Sequence, residues 1–264
     1  MPKLAANLSM LFKEVGFLER FAAARKAGFS AVEYQYPYEL RPGDVAAAAR
    51  EAGVQVVLHN VPRGDAERGE HGTACLPGRE ARFRDDLERA LEYAGAVGCG
   101  SLHCLAGVVP AGVERAQLQA TYVTNLRYAA NRLGRERRRL LIEPVSERTA
   151  ANYFLNSSAQ AVRLLDEVAA DNAFLQYDVF HMQLLEGNLA STIARLLPRI
   201  GHMQIADAPG RNEPGSGEIN FDFLLGHIDS LGYAGWIGCE YNPRGDTVEG
   251  LKWAKSYLHP GSAK

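Results

Sequence analysis

The sequence predicts an α/β protein built as a single (β/α)8 TIM barrel over residues 1–264, and three observations predict it. Strand-like apolar runs recur eight times along the chain, and amphipathic helical stretches lie between them. The repeat this makes is about 33 residues long, the size of one βα unit in a barrel of this kind. The runs are near-continuously apolar rather than alternating, which is how strands buried on both faces read.

In order, the runs are KLAANLSML from Lys3, AVEYQYP from Ala31, VQVVLHN from Val54, SLHCLAG from Ser101, RLLIEPV from Arg139, FLQYDVF from Phe174, IGHMQIAD from Ile200 and WIGCEYN from Trp236. After the first, FLERFAAARKAG puts Phe17, Phe21 and Ala24 on one helical face and stops at Gly28. After the third, EARFRDDLERALEYAGAVG does the same with Phe83, Leu87, Ala90 and Ala94 and ends near Gly98. After the fifth, SSAQAVRLLDEVAA opens on Ser157 or Ser158 as an N-cap. AGF-SAVE, AGV-QVVL and GYAGW-IGCE repeat one local solution, in which a helix ends on or near glycine and a strand begins at once. No Pro/Gly/Ser linker divides the chain, so one domain is expected. A doubly wound open sheet is the alternative, but no G-x-G-x-x-G follows the first strand, and no nucleotide cofactor is expected.

Composition narrows the class. Hydrophobic residues make up 47% and charged residues 23%, an ordinary soluble domain. A net charge of -2 offers no basic face to nucleic acid. The one basic run, GRERRRL from Gly134 to Leu140, precedes a strand and reads as a solvated helix end. The opening MPKLAANLSMLFKEVG lacks the apolar core and cleavage site of a signal peptide. No apolar run reaches the ~18 residues that span a bilayer, so no membrane partner is expected. Cys75, Cys99, Cys104 and Cys239 show no C-x-x-C pairing and read as reduced core thiols of a cytoplasmic protein. The oligomeric state stays open, a homo-oligomer included.

Four runs deliver a side-chain oxygen near one end: Glu143 in LLIEPVS, Asp178 in LQYDVFHMQ, Gln204 in HMQIADAPG and Glu240 in WIGCEYNP. In a barrel the active site lies at the C-terminal ends of the strands, and strands five to eight are neighbours, so these groups converge. Taken singly, an acid at a strand end is more often a loop organiser or helix cap. Gln204 alone reads as an ordinary polar contact, and His181 as a satisfied core histidine. Together, three acids in a buried mouth repel one another and lose hydration unless a cation sits among them. An all-oxygen set suits Mg²⁺ or Mn²⁺.

Other residues are candidates for binding. His59 and His103 end the third and fourth strands; each either faces the mouth, where it would touch substrate, or is packed and neutral. His71, His227 and His259 read as surface residues. Arg211 lies seven residues past Gln204, in the glycine- and proline-rich loop Pro209–Leu225. It reads either as a surface charge or as a fork that holds a substrate carboxylate. The glycine-rich stretch His59–Glu80 is long enough to be a functional loop, a candidate lid.

The motifs ANLSMLF, LHNVPRGD, GTACLPGRE, NLRYAA, LLIEPVS, QYDVFHMQ, GHMQIAD, EPGSGEINFD and GCEYNP occur in this order over essentially the whole chain. Together they resemble the bacterial hydroxypyruvate isomerase family of the xylose-isomerase-like barrels. The resemblance implies a cytoplasmic aldose–ketose isomerase, an intramolecular oxidoreductase of carbohydrate and glyoxylate metabolism, dependent on magnesium or manganese. It implies interconversion of hydroxypyruvate and tartronate semialdehyde (2-hydroxy-3-oxopropanoate) by proton transfer through an enediolate. Glu143 and Glu240 would be the acid/base pair and also touch the metal, with Asp178 and Gln204 as the other ligands. His181 and Arg211 match residues that hold substrate in related sugar epimerases.

One segment, ERTAANYFL from Glu147 to Leu155, departs from the family form, which has a proline and a glycine there. Because it follows strand five it bears on the substrate, and similar proteins act on 2-oxo-tetronate. The expected substrate is therefore a 2-oxo acid or short sugar acid. A 2-oxo-tetronate isomerase and a ketose 3-epimerase are the alternatives, the latter often carrying histidine where Gln204 stands. A barrel endonuclease would need more metal ligands and a basic groove. A non-catalytic metal-dependent sugar-binding protein would not need both glutamates.

Overall fold

The structure, a computed structural model, describes residues 1–65, 67 and 69–258. Eight parallel strands pair in chain order, and the last pairs with the first to close a barrel. They are β1 Lys3–Asn7, β2 Ala31–Tyr34, β3 Gln55–Asn60, β4 Ser101–His103, β5 Arg139–Ile142, β6 Ala173–Asp178, β7 Ile200–Ile205 and β8 Trp236–Cys239. All eight expected runs thus supply a strand.

The helices form the outer ring: α1 Glu19–Lys26, α2 Pro42–Ala52, α3 Glu80–Val97, α4 Arg115–Gly134, α5 Ser158–Val168, α6 Val179–Leu185, α7 Leu189–Leu196, α8 Phe221–Ser230 and α9 Thr247–Gly250. Their packed faces are the ones the 3.6-residue period marks. Phe21 and Ala24 of α1, and Phe83, Leu87, Ala90 and Ala94 of α3, are buried. Ser157 caps α5 by accepting from the Gln160 amide at 3.2 Å. Cys75, Cys99, Cys104 and Cys239 are buried and unpaired. Among the described residues no helix is long and apolar enough to cross a membrane.

Partners in adjacent parallel strands face the same side of the sheet, so the register sorts inward from outward side chains. Low in the barrel the interior is apolar, with Ala5, Ala31, Leu58 and Leu141 packed together and Phe174 against them. Nearer the strand ends it becomes polar, with Asn7, Glu33, Asn60, His103, Gln176, His202 and Gln204 all buried. Glu33 is the hub of that layer. Its Oε1 accepts from Asn7 Nδ2 at 2.9 Å and from Gln204 Nε2 at 2.7 Å, and its Oε2 lies 2.6 Å from His202 Nε2. A fully buried carboxyl persists only when its oxygens are engaged in this way.

The register also corrects one expectation. Between β2 and β3 the pairing shifts at Val32/Glu33, so that Tyr34 pairs with His59. Both rings therefore point outward, stacked with centroids 5.8 Å apart, while Asn60 turns inward. His59 is wholly buried between barrel and helices and is not among the residues that line the cavity at the mouth. Burial pushes its imidazole down to about 4, so it is packed and neutral.

Gly238 of β8 makes room for Glu33. A Cβ there would fall onto both carboxyl oxygens of Glu33. Gly238→Ala is expected to destabilise the barrel by about 1–3 kcal/mol, the usual cost of overpacking a core. The check is the denaturant midpoint at unchanged slope; an unmoved midpoint would show that the Glu33 layer yields freely.

Candidate active site

The four oxygen-bearing residues come from consecutive strand ends. Glu143 follows β5, Asp178 ends β6, Gln204 lies in β7 and Glu240 follows β8. All four are at most 6% exposed. Asp178 doubles as the N-cap of α6, its Oδ1 accepting from the Phe180 amide at 2.9 Å. Glu240 is held on both oxygens. Oε1 accepts from Asn7 Nδ2 at 3.1 Å and Gln35 Nε2 at 2.9 Å, and Oε2 from Arg211 Nη2 at 2.8 Å. Glu143 is freer: Oε2 lies 3.6 Å from His103 Nδ1, and Oε1 is buried without a hydrogen-bond partner.

Ligand atoms of Glu143, Asp178 and His181 lie within 4.8 Å of one another, a triad able to hold a metal ion. His181 Nε2 is 3.5 Å from Asp178 Oδ2, and its Nδ1 is 3.0 Å from Ser146 Oγ. Glu240 reaches the same cavity. Gln204 sits among the buried groups beneath: its Oε1 accepts from Gln176 Nε2 at 2.6 Å, and its Nε2 donates to Glu33. Both ends of its amide are therefore engaged.

Arg211 is no surface charge. Its Nη2 donates to Glu240 Oε2 and, at 3.4 Å, to Asp178 Oδ2, and its guanidinium lies 5.1 Å from the Phe180 ring centroid. Its backbone is left-handed, with φ 56°. Two bonds pin it there: its N–H donates to the Asp207 carbonyl at 2.9 Å, and its carbonyl accepts from Asn242 N at 2.8 Å. The loop around it is shaped by the Asp207 carboxyl, which accepts from the amides of Gly215, Gly217 and Ile219 at 2.9, 2.8 and 3.1 Å.

The electrostatics follow from burial and crowding. Burial first, then Asp178 and Glu240, push the Glu143 carboxyl well above the usual range. Burial also raises Asp178 and Glu240, against the pull of Arg211. Burial works against the Arg211 cation, but Glu240, Asp178 and Glu143 outweigh it and raise its pKa. His181 is held well below its ordinary value, first by burial and then by Arg211. Three buried carboxyls, one of them with an unpartnered oxygen, against a single guanidinium form a donor set that fits a divalent cation.

These groups surround a cavity of about 170 Å³. That is below the roughly 300–1,000 Å³ of pockets that take drug-sized ligands, and in keeping with a ligand of a few carbons. Several of its walls escape the sequence reading. Gln35, Tyr36, Asn60, Arg63 and Gln176 line it. Glu33 and Gln35 stand two apart in AVEYQY, so the two-residue period of a strand places them on one face; this is the signal that could have found them. Thr149, Ala150 and Tyr153, from the divergent segment, line it too. His103 faces the cavity and is neutral, pushed down to about 3 by burial and then by His202.

His71 is half-buried in the cavity wall rather than on the surface, because its loop folds back over the mouth. His227 is half-buried on α8, with its Nε2 3.1 Å from the Ala190 carbonyl. His259, and Ala66 and Arg68 of the glycine-rich stretch, lie outside the described residues.

The raised Glu143 value has a consequence for metal-free protein. In the unfolded chain this carboxyl titrates at about 4.3. A value raised by folding gives a contribution to stability that is intact below the unfolded value and lost as pH rises through the folded one. With chelator present, thermal stability is expected to fall as pH rises above the unfolded value of about 4.3, and Glu143→Gln, which cannot ionise, to show a flatter profile. Parallel melting profiles would contradict this.

A model of the family described as xylose isomerase-like TIM barrel matches residues 21–257. The hydroxypyruvate isomerase of Escherichia coli is 45% identical, over 97% of this chain and 100% of its own length. The 2-oxo-tetronate isomerase of Cupriavidus necator is 46% identical, over 98% of this chain and 99% of its own. A crystal structure from Brucella melitensis, described as an AP endonuclease of family 2, superposes with a TM-score of 0.96 at 41% identity, covering 98% of this chain and 100% of that one. With motifs, barrel and relatives in agreement over nearly the whole length, the chain belongs to the xylose isomerase-like TIM barrel family, among the hydroxypyruvate isomerases and their 2-oxo-tetronate relatives.

Proposed function

We propose that the protein is an aldose–ketose isomerase that interconverts hydroxypyruvate and tartronate semialdehyde by moving a proton between adjacent carbons through an enediolate. The observation that carries this is the pair of buried glutamates, Glu143 and Glu240, facing one small cavity from β5 and β8. Isomerisation needs one group to take a proton from a carbon and a second to return one to its neighbour, and two carboxyls that line one cavity support that reading. Relatives named as 2-oxo-tetronate isomerases are about as similar, so the four-carbon 2-oxo acid is the second substrate to test.

Glu143, Asp178 and Glu240 would hold Mg²⁺ or Mn²⁺, joined by Gln204 if its amide leaves Gln176, or by His181. A bound divalent cation supplies Lewis-acid polarisation of neighbouring carbonyl and hydroxyl oxygens. The protein's own groups do the rest. Asn7 and Gln35 fix the Glu240 carboxyl, and Arg211 neutralises it together with Asp178. The Arg211 Nε, buried and unpartnered, is left to donate to a substrate oxygen, as is the neutral ring of His103. The buried thiols are in keeping with a reducing compartment, the cytoplasm. A nucleic-acid substrate is disfavoured by the net charge of -2, and by a single three-residue ligand cluster among the described residues.

The test is to incubate metal-loaded protein with hydroxypyruvate and with 2-oxo-tetronate in D₂O and follow products by NMR. Isomerisation with solvent deuterium in the product is expected. Transfer of a carbon-bound deuterium from labelled substrate without exchange would mean a hydride shift. Exhaustive chelation should abolish activity, and Mg²⁺ or Mn²⁺ should restore it; full activity without metal would sink the metal assignment.

Glu143→Gln and Glu240→Gln keep size and one oxygen but lose the base. Each is expected to lower activity by about 10²–10⁴-fold, the usual worth of a positioned acid or base. Near-normal turnover by either variant would remove it from proton transfer.

A further inference from the structure

We infer that Arg63 is the residue that binds the substrate's carboxylate, so that the molecule lies across the barrel mouth with its acid end at β3 and its reacting carbons between Glu143 and Glu240. The inference rests on the isomerase reading. A 2-oxo acid brings a negative charge into a cavity that two carboxyls, Glu143 and Glu240, already line, with Asp178 buried beside them. Arg211, the evident cation, is committed to Glu240 and Asp178. Turning it toward substrate would leave two buried acids without their counter-charge. With Arg211 and a divalent cation balancing the three acids, the substrate's own charge is left to be met by a further cation, and Arg63 lines the cavity.

Arg63 lines the same cavity as Glu143 and Glu240, and no described carboxylate pairs with it. It follows β3, and Arg211 follows β7, four strands away in the closed ring of eight, so the two arginines enter the mouth from loops on opposite sides of the ring. That separation assigns them different ends of one small molecule. The Arg63 guanidinium lies 5.2 Å from the Tyr36 ring centroid, a platform that fixes the plane of its fork while leaving its N–H groups free. His71, half-buried in the same wall, stays neutral under burial and the nearby Arg63 charge, and offers a second donor.

The loop that carries Arg63 is built to hold it still. The Arg63 carbonyl accepts from Gly72 N at 2.8 Å, closing the loop on itself. Gly72 has φ 106°, and a Cβ there would strike the Leu105 carbonyl, so the loop runs against the chain leaving β4 as only glycine allows. Beyond it, Cys75 N donates to the Ala106 carbonyl at 2.8 Å, and Asn125 Nδ2 donates to the Ala74 carbonyl at 2.8 Å. With its backbone bonded in this way and its guanidinium over the Tyr36 ring, Arg63 has less freedom to lose on binding.

The experiment uses Mn²⁺-loaded full-length protein with Arg63→Met and Arg63→Lys. Two quantities are read: the KM for hydroxypyruvate, and the calorimetric Kd of glycerate, a three-carbon acid with no carbonyl to isomerise. Arg63→Met is expected to raise both by about ten- to a hundredfold, the loss of one charge-assisted contact. Arg63→Lys should fall between, and the affinity for Mn²⁺ should stay within about twofold in both variants. Unmoved KM and Kd would overturn the assignment. So would a parallel loss of Mn²⁺ affinity, which would mean that Arg63 merely shapes the site. A wild type that binds glycerate through Arg63 yet isomerises neither 2-oxo acid would remove the isomerase reading and leave the carboxylate site. A wild type that isomerises with a KM indifferent to Arg63 would do the reverse.

Discussion

Like charges out of water set the terms for this molecule. Glu143, Asp178 and Glu240 share the end of a closed barrel, each nearly inaccessible to solvent. At an effective dielectric of about 20, two carboxylates 4 Å apart repel by roughly 4 kcal/mol, and each also loses hydration. One guanidinium offsets part of that. Much of the surrounding architecture serves to keep it there: a left-handed residue, a loop gathered around Asp207, and a backbone bond to Asn242. The remaining imbalance is what a divalent cation among these groups would relieve, and it disfavours a further anion unless another positive group meets it.

Beneath the mouth the barrel is filled differently from the usual run of branched aliphatic layers. A polar layer centred on Glu33 separates the apolar floor from the reactive groups above. It links the floor to the site in two steps, through Asn7 to Glu240 and through Gln204 to Gln176. A layer of this kind gains little stability over apolar packing, but it leaves few alternative arrangements for the side chains it fixes. The absence of a side chain at Gly238 is part of the same design.

The strands were legible because a strand buried on both faces must be apolar along its length, and RLLI, AFLQYD and WIGC are near enough to that rule. The convergence of Glu143, Asp178 and Glu240 followed from closure alone. What could not be read was orientation within a strand. His59 and Asn60 are adjacent, and a register shift at β2 decides which one sees the cavity; nothing in VQVVLHN encodes it. Glu33 is a lone acid within the run AVEYQYP, and only closure puts it at the centre. Arg211 and Arg63 are both loop arginines in sequence. Their difference lies in which acids surround them, and that is set by tertiary contacts.

Barrel closure has a temporal side. The bond from Asn7 to Glu240 joins positions 233 apart, and β1 has β8 as one of its two neighbours. A ribosome delivers the chain from its N-terminus, so Asn7 and Glu33 emerge long before the strand that completes their surroundings. Until then the polar layer has no lid or wall on one side, and water fills it. Glu240, one of the two acids proposed for proton exchange, arrives with the final strand, on the edge that seals the ring. On the proposed mechanism, a nascent or truncated chain would hold Glu143 and Asp178 and still lack Glu240, so both members of the acid/base pair come together only when synthesis has carried the barrel to its last seam.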